Sequence, residues 1–446
     1  MSEKASRQDI KTATGVSVAE ALDGILAEFA PLPAVSVALA RALGLVLAEE
    51  VYSDIDIPPF DNSSMDGYAV KSQDTAGADN DKPVRLKMQG YIRAGAALLE
   101  KDRVESGKAF RIMTGAPLPQ GADAVIRFED TSEGRKLDTM RLLPGDARAE
   151  PNTAGGDVLL FRSVKPGDSV RKAGEDVKAG ELVLRPGIVI RPAEVGVLAA
   201  VGKSQVLVHR RPRVAVLATG DELVEPSVLP GPGQIRNTNN YAVAAQVEQW
   251  GAEAINLGVA RDNREHLVAK LKEALALKPD LLVTSAGVSV GDHDIVKDVL
   301  LEMGSLSMWR VRVRPGKPLA FGRIGEKGVP FLGLPGNPVS SMVTMELFGR
   351  PAIMKMMGKA RLHRPIIKAH LLEGLDNAGG REHYMRGIIE KEGDEYTARL
   401  TGEQGSGILT SMSRANALLI VDEKTSRMEA GEMVRALMLD WPEEVF

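Results

Sequence analysis

One stretch, Asp280 to Asp294 (DLLVTSAGVSVGDHD), limits the choice of fold more than any other. Leu281-Leu282-Val283 reads as a short buried strand. Small and acidic residues follow: Ser285, Gly287, Ser289, Gly291, Asp292 and Asp294. A helix comes next, with Ile295, Val296, Val299, Leu300 and Met303 on one face at helical spacing. A strand, a Gly/Ser loop and a helix start form the element at which open α/β sheets bind ligands, outside the carboxyl ends of the strands. Backbone N–H groups and the helix N-terminus favour an anion there. Asp292 and Asp294 offer the hard oxygens that suit Mg²⁺. Asp294 reads equally as the cap of its helix.

The flanking sequence, 186–360, repeats the alternation. Val214–Leu217, Ala254–Val259, Leu319–Gly322 and Phe331–Leu334 read as strands. Asn240–Trp250 reads as a helix, as does a segment with Leu267, Val268, Leu271 and Leu275 in register. A further helix runs from Pro335-Gly336-Asn337-Pro338 to about Met357. Strands alternating with helices predict a doubly wound parallel sheet. Asp262, three residues before Glu265, reads as a helix cap. Trp309–Arg314 alternates strictly, so one strand would carry Arg310, Arg312 and Arg314 on a single face. That face is either a solvated edge or an oxyanion surface, for which the guanidinium fork is suited. Its position after the acidic loop and helix favours the anion.

A chain of 446 residues is too long for one core, and an α/β multidomain organisation is expected. Ser17-Val18-Ala19-Glu20 is a capping box, opening a helix with Val18, Leu22, Ile25, Leu26 and Phe29 on one side. A second short helix is expected near Ser36–Leu43, and another over Ala193–Ala200. Residues 1–50 with 146–185 read as an N-terminal linker domain. Residues 51–145 show short β-like runs and no helical period, which suggests an inserted β-rich domain. Residues 361–446 read as a small C-terminal β-barrel domain, with strands at Ala417–Val421 and Met433–Leu439 and a hairpin turn near Glu390–Glu395.

Composition removes several function classes. A net charge of −4 gives no reason to expect nucleic acid or an anionic membrane. The absence of cysteine excludes disulfides and thiolate metal sites, and six histidines alone argue against structural zinc. There is no apolar run long enough to span a bilayer and no apolar segment in MSEKASRQDIKTATG, so a cytoplasmic location is expected. Walker A and HExxH motifs are absent. Asp66, Asp176, Glu222, Asp262 and Asp294 each end a strand or sit in a Gly-rich turn; if they converge, they hold Mg²⁺ or shape a charged cleft.

Eight strings occur in order: PPFDNSSMDGYAV (58–70), RIMTGAPLPQGADAV (111–125), RKAGEDVKAGE (171–181), ATGDELV (218–224), GQIRNTN (233–239), AGVSVGDHD (286–294), RPGKP (314–318) and GLPGNPVSS (333–341). Together they closely resemble the molybdopterin molybdenumtransferases, the bacterial molybdenum insertases to which the gephyrin E domain is related. The resemblance spans about residues 17 to 420. It implies insertion of molybdenum from molybdate into adenylylated molybdopterin with release of AMP, assisted by Mg²⁺. It also implies an elongated homodimer of four-domain subunits, with the active cleft between them. Upstream adenylyltransferase and downstream molybdoenzymes would be its partners.

By the same resemblance Asp66, Thr114, Asp176, Glu222, Asp262 and Asp294 would be catalytic, and Asp262 and Asp294 would place the Mg²⁺. Ser285, Gly287, Ser289, Gly291, Pro335, Asn337 and Pro338 would bind the pterin nucleotide. Arg314, Lys317, Ser340, Arg381 and Ser406 would bind molybdate. Two departures stand out. Ala286 occupies a position where many relatives carry glycine, and its methyl group restricts φ. Arg310 and Arg314 stand where relatives often carry lysine, so a planar fork replaces a point charge. Two other readings remain: a molybdopterin adenylyltransferase, and a non-enzymatic scaffold of the gephyrin E-domain type.

Overall fold

A computed structural model describes residues 15–139, 155–285 and 295–441. The chain divides into two compact units, one of residues 50–185 with 192–204 and the other of the remainder.

The first unit is built on a five-stranded mixed sheet. Its order is Ala124–Arg127, Gly67–Val70, Lys108–Ile112, Val84–Ile92 and Asp157–Leu160. Alternation sends Tyr68, Val70 and Ile126 into one core and Ala69, Ile112 and Val125 into another. Gly67 is fixed by packing, since a Cβ there would lie 1.9 Å from the Ile126 carbonyl oxygen. Contrary to expectation, this β-rich segment contains a helix, Ser132–Thr139. It has no apolar stripe to betray it. Glu133 anchors it instead, accepting hydrogen bonds from the Tyr68 hydroxyl (2.5 Å) and Arg111 Nη1 (2.7 Å). The expected helix near 193–200 is present as Pro192–Ala200.

The second unit contains a six-stranded sheet in the order Glu253–Ala260, Arg213–Thr219, Leu281–Ser285, Val329–Leu334, Pro318–Ile324 and Gly304–Arg310. The first four strands are parallel, as expected, and the last two extend the edge antiparallel. Each parallel strand feeds two cores. Val214, Val216, Leu281 and Val283 pack with Val243, Val247 and Val339 on one face. Ala215, Leu217 and Leu282 pack with Leu267, Leu271, Val299 and Leu300 on the other. That alternation explains the continuous apolar runs in the sequence.

The Ser17 capping box forms as expected: Ser17 Oγ accepts from Glu20 N, and Glu20 Oε2 accepts from Ser17 N. The helix expected near Ser36–Leu43 does not form. Ala34–Ala38 is a strand paired antiparallel with Gln205–His209, followed by a single 3₁₀ turn, Leu39–Arg41. Pairing with a partner distant in sequence overrides local propensity here. The expected six-residue arginine strand is also broken. One strand ends at Arg310, while Val313–Arg314 pairs in parallel with Glu382-His383. Arg312 turns to Glu423 (2.9 Å), so the three arginines do not share a face.

The C-terminal strands close into a five-stranded barrel: Glu382–Glu392, Glu395–Leu400, Ile366–Leu371, Met433–Met438 and Ala417–Val421, the last pairing back with the first. Leu371, Met385, Ile389, Leu419 and Val434 are among the residues that fill its core. Among the described residues no helix is long and apolar enough to cross a membrane.

Candidate functional site

A cavity of about 1140 Å³ opens at the carboxyl ends of the parallel strands. Its wall is assembled from Thr219, Glu222, Ser285 and the Pro335–Pro338 turn, each of which follows or ends a strand. Arg314, Lys317 and Ser340 form a second side, and Arg381 with Gln404–Ser406 of the barrel forms a third. Ten of the residues expected from sequence therefore meet in one place: Glu222, Ser285, Pro335, Asn337, Pro338, Arg314, Lys317, Ser340, Arg381 and Ser406. Gly287, Ser289, Gly291 and Asp294, together with Ala286 and Asp292, lie outside the described residues.

Local geometry explains the residue types. Gly220 adopts φ +146°, and a Cβ there would lie 2.4 Å from the Glu222 carboxylate, which folds back over it. Gly316, between Arg314 and Lys317, adopts φ +108°, and a Cβ would lie 2.4 Å from Thr344 Oγ1. Only glycine allows this turn to lie on the following helix. Asn337 begins the Pro338–Thr344 helix and donates from Nδ2 to Ser406 Oγ (3.0 Å), while Val339 N donates to Ser406 O (3.1 Å). Asn239 Nδ2 donates to the Gly336 carbonyl (2.8 Å), bracing the same turn.

Asp262 does not cap the helix that follows it. Asn263 does, accepting from His266 N at 2.9 Å. Asp262 instead joins Asp221 at the ends of two adjacent strands. Asp221 N donates to Asp262 Oδ2 (3.3 Å) and Asp262 N donates to Asp221 Oδ1 (3.2 Å). Asp221 was not among the expected site residues, although ATGDELV contains it.

The cavity is cationic. Arg314, Lys317 and Arg381 form no ion pair with an acidic side chain among the described residues. Their field reaches inward. His383 is 2 % exposed, and burial, reinforced by Arg314, Arg386 and Arg381, pushes its imidazole down to about 4. Arg386 is fully buried, and burial followed by the Arg314 charge lowers its guanidinium to about 10. Neither residue was singled out from sequence, since both sit in the mixed polar and apolar strand Glu382–Glu392, whose buried positions appear only once the barrel closes.

A second cluster lies within the other unit. Thr114 donates to Asp66 Oδ1 through both its N–H (2.8 Å) and its hydroxyl (2.7 Å). Asp61 accepts from Lys172 Nζ (2.7 Å) and Ala173 N (2.9 Å), which hold its carboxyl below the usual range. Three strings separated in sequence thus fold together, as Gly115 N to Ser63 O and Gly174 N to Pro58 O also show. Asp176 lines a smaller cavity of about 250 Å³ beside Glu181.

A further cavity of about 720 Å³ lies at the opposite ends of the central strands, beside Asp280 and Val329. Its main acid, Asp280, is already occupied by Arg210 at 2.6 and 2.7 Å.

Three family models match the chain in succession. They are described as the MoeA N-terminal region (domain I and II) over residues 16–202, a probable molybdopterin binding domain over 215–355 and the MoeA C-terminal region (domain IV) over 368–439. Molybdopterin molybdenumtransferase 1 of Mycobacterium tuberculosis is 36% identical over 433 residues, covering 93% of this chain and 96% of the relative. The molybdopterin molybdenumtransferase of Nostoc sp. is 36% identical over 405 residues, covering 90% and 88%. The crystal structure titled molybdopterin biosynthesis moea protein from Pyrococcus horikosii superposes with a TM-score of 0.75 at 32% identity, covering 96% of this chain and 100% of that one. On this agreement of sequence and fold along nearly its whole length, the chain belongs to the molybdopterin molybdenumtransferase family.

Proposed function

We infer that this chain is a transferase of molybdenum cofactor biosynthesis, inserting molybdenum from molybdate into adenylylated molybdopterin with release of AMP. The observation that carries the reading is the cationic cavity at the strand ends, whose Arg314, Lys317 and Arg381 lack acidic partners among the described residues. Molybdate is a tetrahedral dianion. Fixed cations and hydroxyl donors bind such a group without reorganising, and Ser340 and Ser406 line the same space. The Val339 N–H is already bonded to Ser406 O and braces this wall. Ser285, Asn337 and the prolines beside it would orient the pterin nucleotide, and Glu222 on the same wall would act in catalysis, as the family resemblance implies.

Mg²⁺ belongs to this reading as a helper. Among the described residues no three acidic or imidazole groups close around one point. Asp221 and Asp262 supply hard oxygens side by side, and a site with one or two carboxylates completed by water and substrate phosphate is typical of Mg²⁺. They would hold it with Asp294, and when bound it would neutralise charge on the pyrophosphate. Asp66, Thr114 and Asp176 are assigned to the same reaction by the family resemblance, as is the homodimer.

The test is AMP release from adenylylated molybdopterin in the presence of Mg²⁺, with and without molybdate and with tungstate in parallel. Oxyanion-dependent release supports the reading. Release that ignores both oxyanions, or ATP consumption with bare molybdopterin, counts against it.

A further inference from the structure

The wall of the cavity formed by Gln404, Gly405 and Ser406 belongs to a glycine-rich loop, with glycines at 402, 405 and 407. Such a segment has high conformational freedom unless something holds it. One face is held by Asn337 and Val339, as described above. The other is held almost entirely by one residue, Arg386.

Arg386 N donates to Gln404 Oε1 (2.8 Å), and Arg386 O accepts from Gln404 Nε2 (3.2 Å) and Thr401 N (3.1 Å). Its Nη2 donates to the Gly405 carbonyl (3.1 Å) and its Nε to Ser411 Oγ (3.0 Å). Ser411 passes the restraint on by donating to the Ile408 carbonyl (2.6 Å). The side chain is completely buried, does not line the cavity and has no carboxylate partner among the described residues, and Nη1 is unpaired. A buried, uncompensated guanidinium is costly, and apolar replacement of buried charges is often stabilising. The charge and its fork therefore need a reason beyond stability.

We propose that Arg386 is the positioning residue of the oxyanion subsite, its guanidinium clamping the Gly405–Ser411 segment from beneath so that Ser406 faces the ion held by Arg314, Lys317 and Arg381. This rests on the reading of the cavity as the molybdate site. The guanidinium plane spans two acceptors, Gly405 O and Ser411 Oγ, which a lysine ammonium on its flexible stem does not reproduce. The guanidinium bonds only to the loop that carries Ser406, and Asn337 is held separately at the start of its helix and by the turn that Asn239 braces, so loss of the clamp affects molybdate more than the pterin nucleotide.

The experiment compares full-length wild type with Arg386→Gln, Arg386→Lys and Ser411→Ala. Molybdate and tungstate Kd are measured by calorimetry, together with kcat and both KM values for AMP release. Losing hydrogen bonds to a charged group raises molybdate Kd and KM about tenfold or more in Arg386→Gln, with kcat and the pterin-nucleotide KM within about twofold. Arg386→Lys stays near Arg386→Gln, and Ser411→Ala falls between them and wild type. Recovery of wild-type affinity by lysine, or a parallel decline of every constant, overturns the clamp. If Arg386→Gln fails to fold, Ser411→Ala decides: unchanged molybdate Kd overturns the proposal. Wild type that binds neither oxyanion overturns the site reading and this inference together, whereas wild-type binding with unaltered variants overturns the inference alone.

Discussion

Replacing Gly316 with alanine tests whether the Arg314–Lys317 turn must lie flat on the helix beneath it. The new Cβ would meet Thr344 Oγ1 at 2.4 Å, and Thr344 is 1 % exposed with no hydrogen-bond partner for that hydroxyl among the described residues. Restoring an ordinary contact requires a shift of about 1 Å, which at a reacting centre can cost on the order of a hundredfold. The φ of +108° adds strain of about 1–3 kcal/mol. Thr344→Ala removes the clashing atom, after which the nearest neighbours, Ser340 O and Thr344 Cβ, are at 3.7 Å. The double variant therefore keeps the backbone strain and loses the overpacking, worth about 1–3 kcal/mol. Molybdate Kd for the four proteins of this cycle provides the assay. Gly316→Ala weakens binding strongly, Thr344→Ala leaves it near wild type, and the double variant regains about tenfold or more. A double variant no better than Gly316→Ala refutes the steric reasoning.

Arg314→Gln and Lys317→Met each raise the molybdate KM while the melting temperature changes little, because neither substitution strands a paired carboxylate; thermal denaturation beside steady-state kinetics checks both. His383 sets an acid limit. Its folded pKa of about 4 lies below the unfolded value, so the folded state binds fewer protons, and stability falls as pH drops from about 6.5 to about 4. The loss is on the order of 3 kcal/mol, with less of it in His383→Gln and in the presence of molybdate, which offsets the arginine charges; chemical denaturation against pH measures it. Asp66→Asn weakens the acceptor that both Thr114 donors use, so it and Thr114→Val lower turnover less than additively in a double-mutant cycle.

The parts of the fold that alternate strictly or run apolar were readable from sequence. Leu281–Val283 and Phe331–Leu334 serve two cores at once, and the sequence shows it as unbroken apolar residues. The antiparallel edge was not readable, since Trp309–Arg314 looks like one strand until residues 313–314 pair with the barrel. Ala34–Ala38 is a strand only because Gln205–His209 lies beside it. At the site, the short motifs located the loops that carry Arg314, Lys317, Glu222 and Asn337. Asp262 illustrates the limit: capping patterns fit it, yet Asn263 took the cap and left Asp262 to Asp221. Arg386 and His383 were invisible, because a buried cation in a barrel strand acquires meaning only from the loop and charges folded against it.

The most direct test of the central claim is the ratio of molybdenum incorporated to AMP released. Elemental analysis of the isolated pterin product, alongside nucleotide quantification, measures both in one reaction. The expected result is one metal per AMP, with both falling together in Arg314→Gln. AMP released without metal in the product would make the chain a hydrolase of the pterin nucleotide and contradict the account.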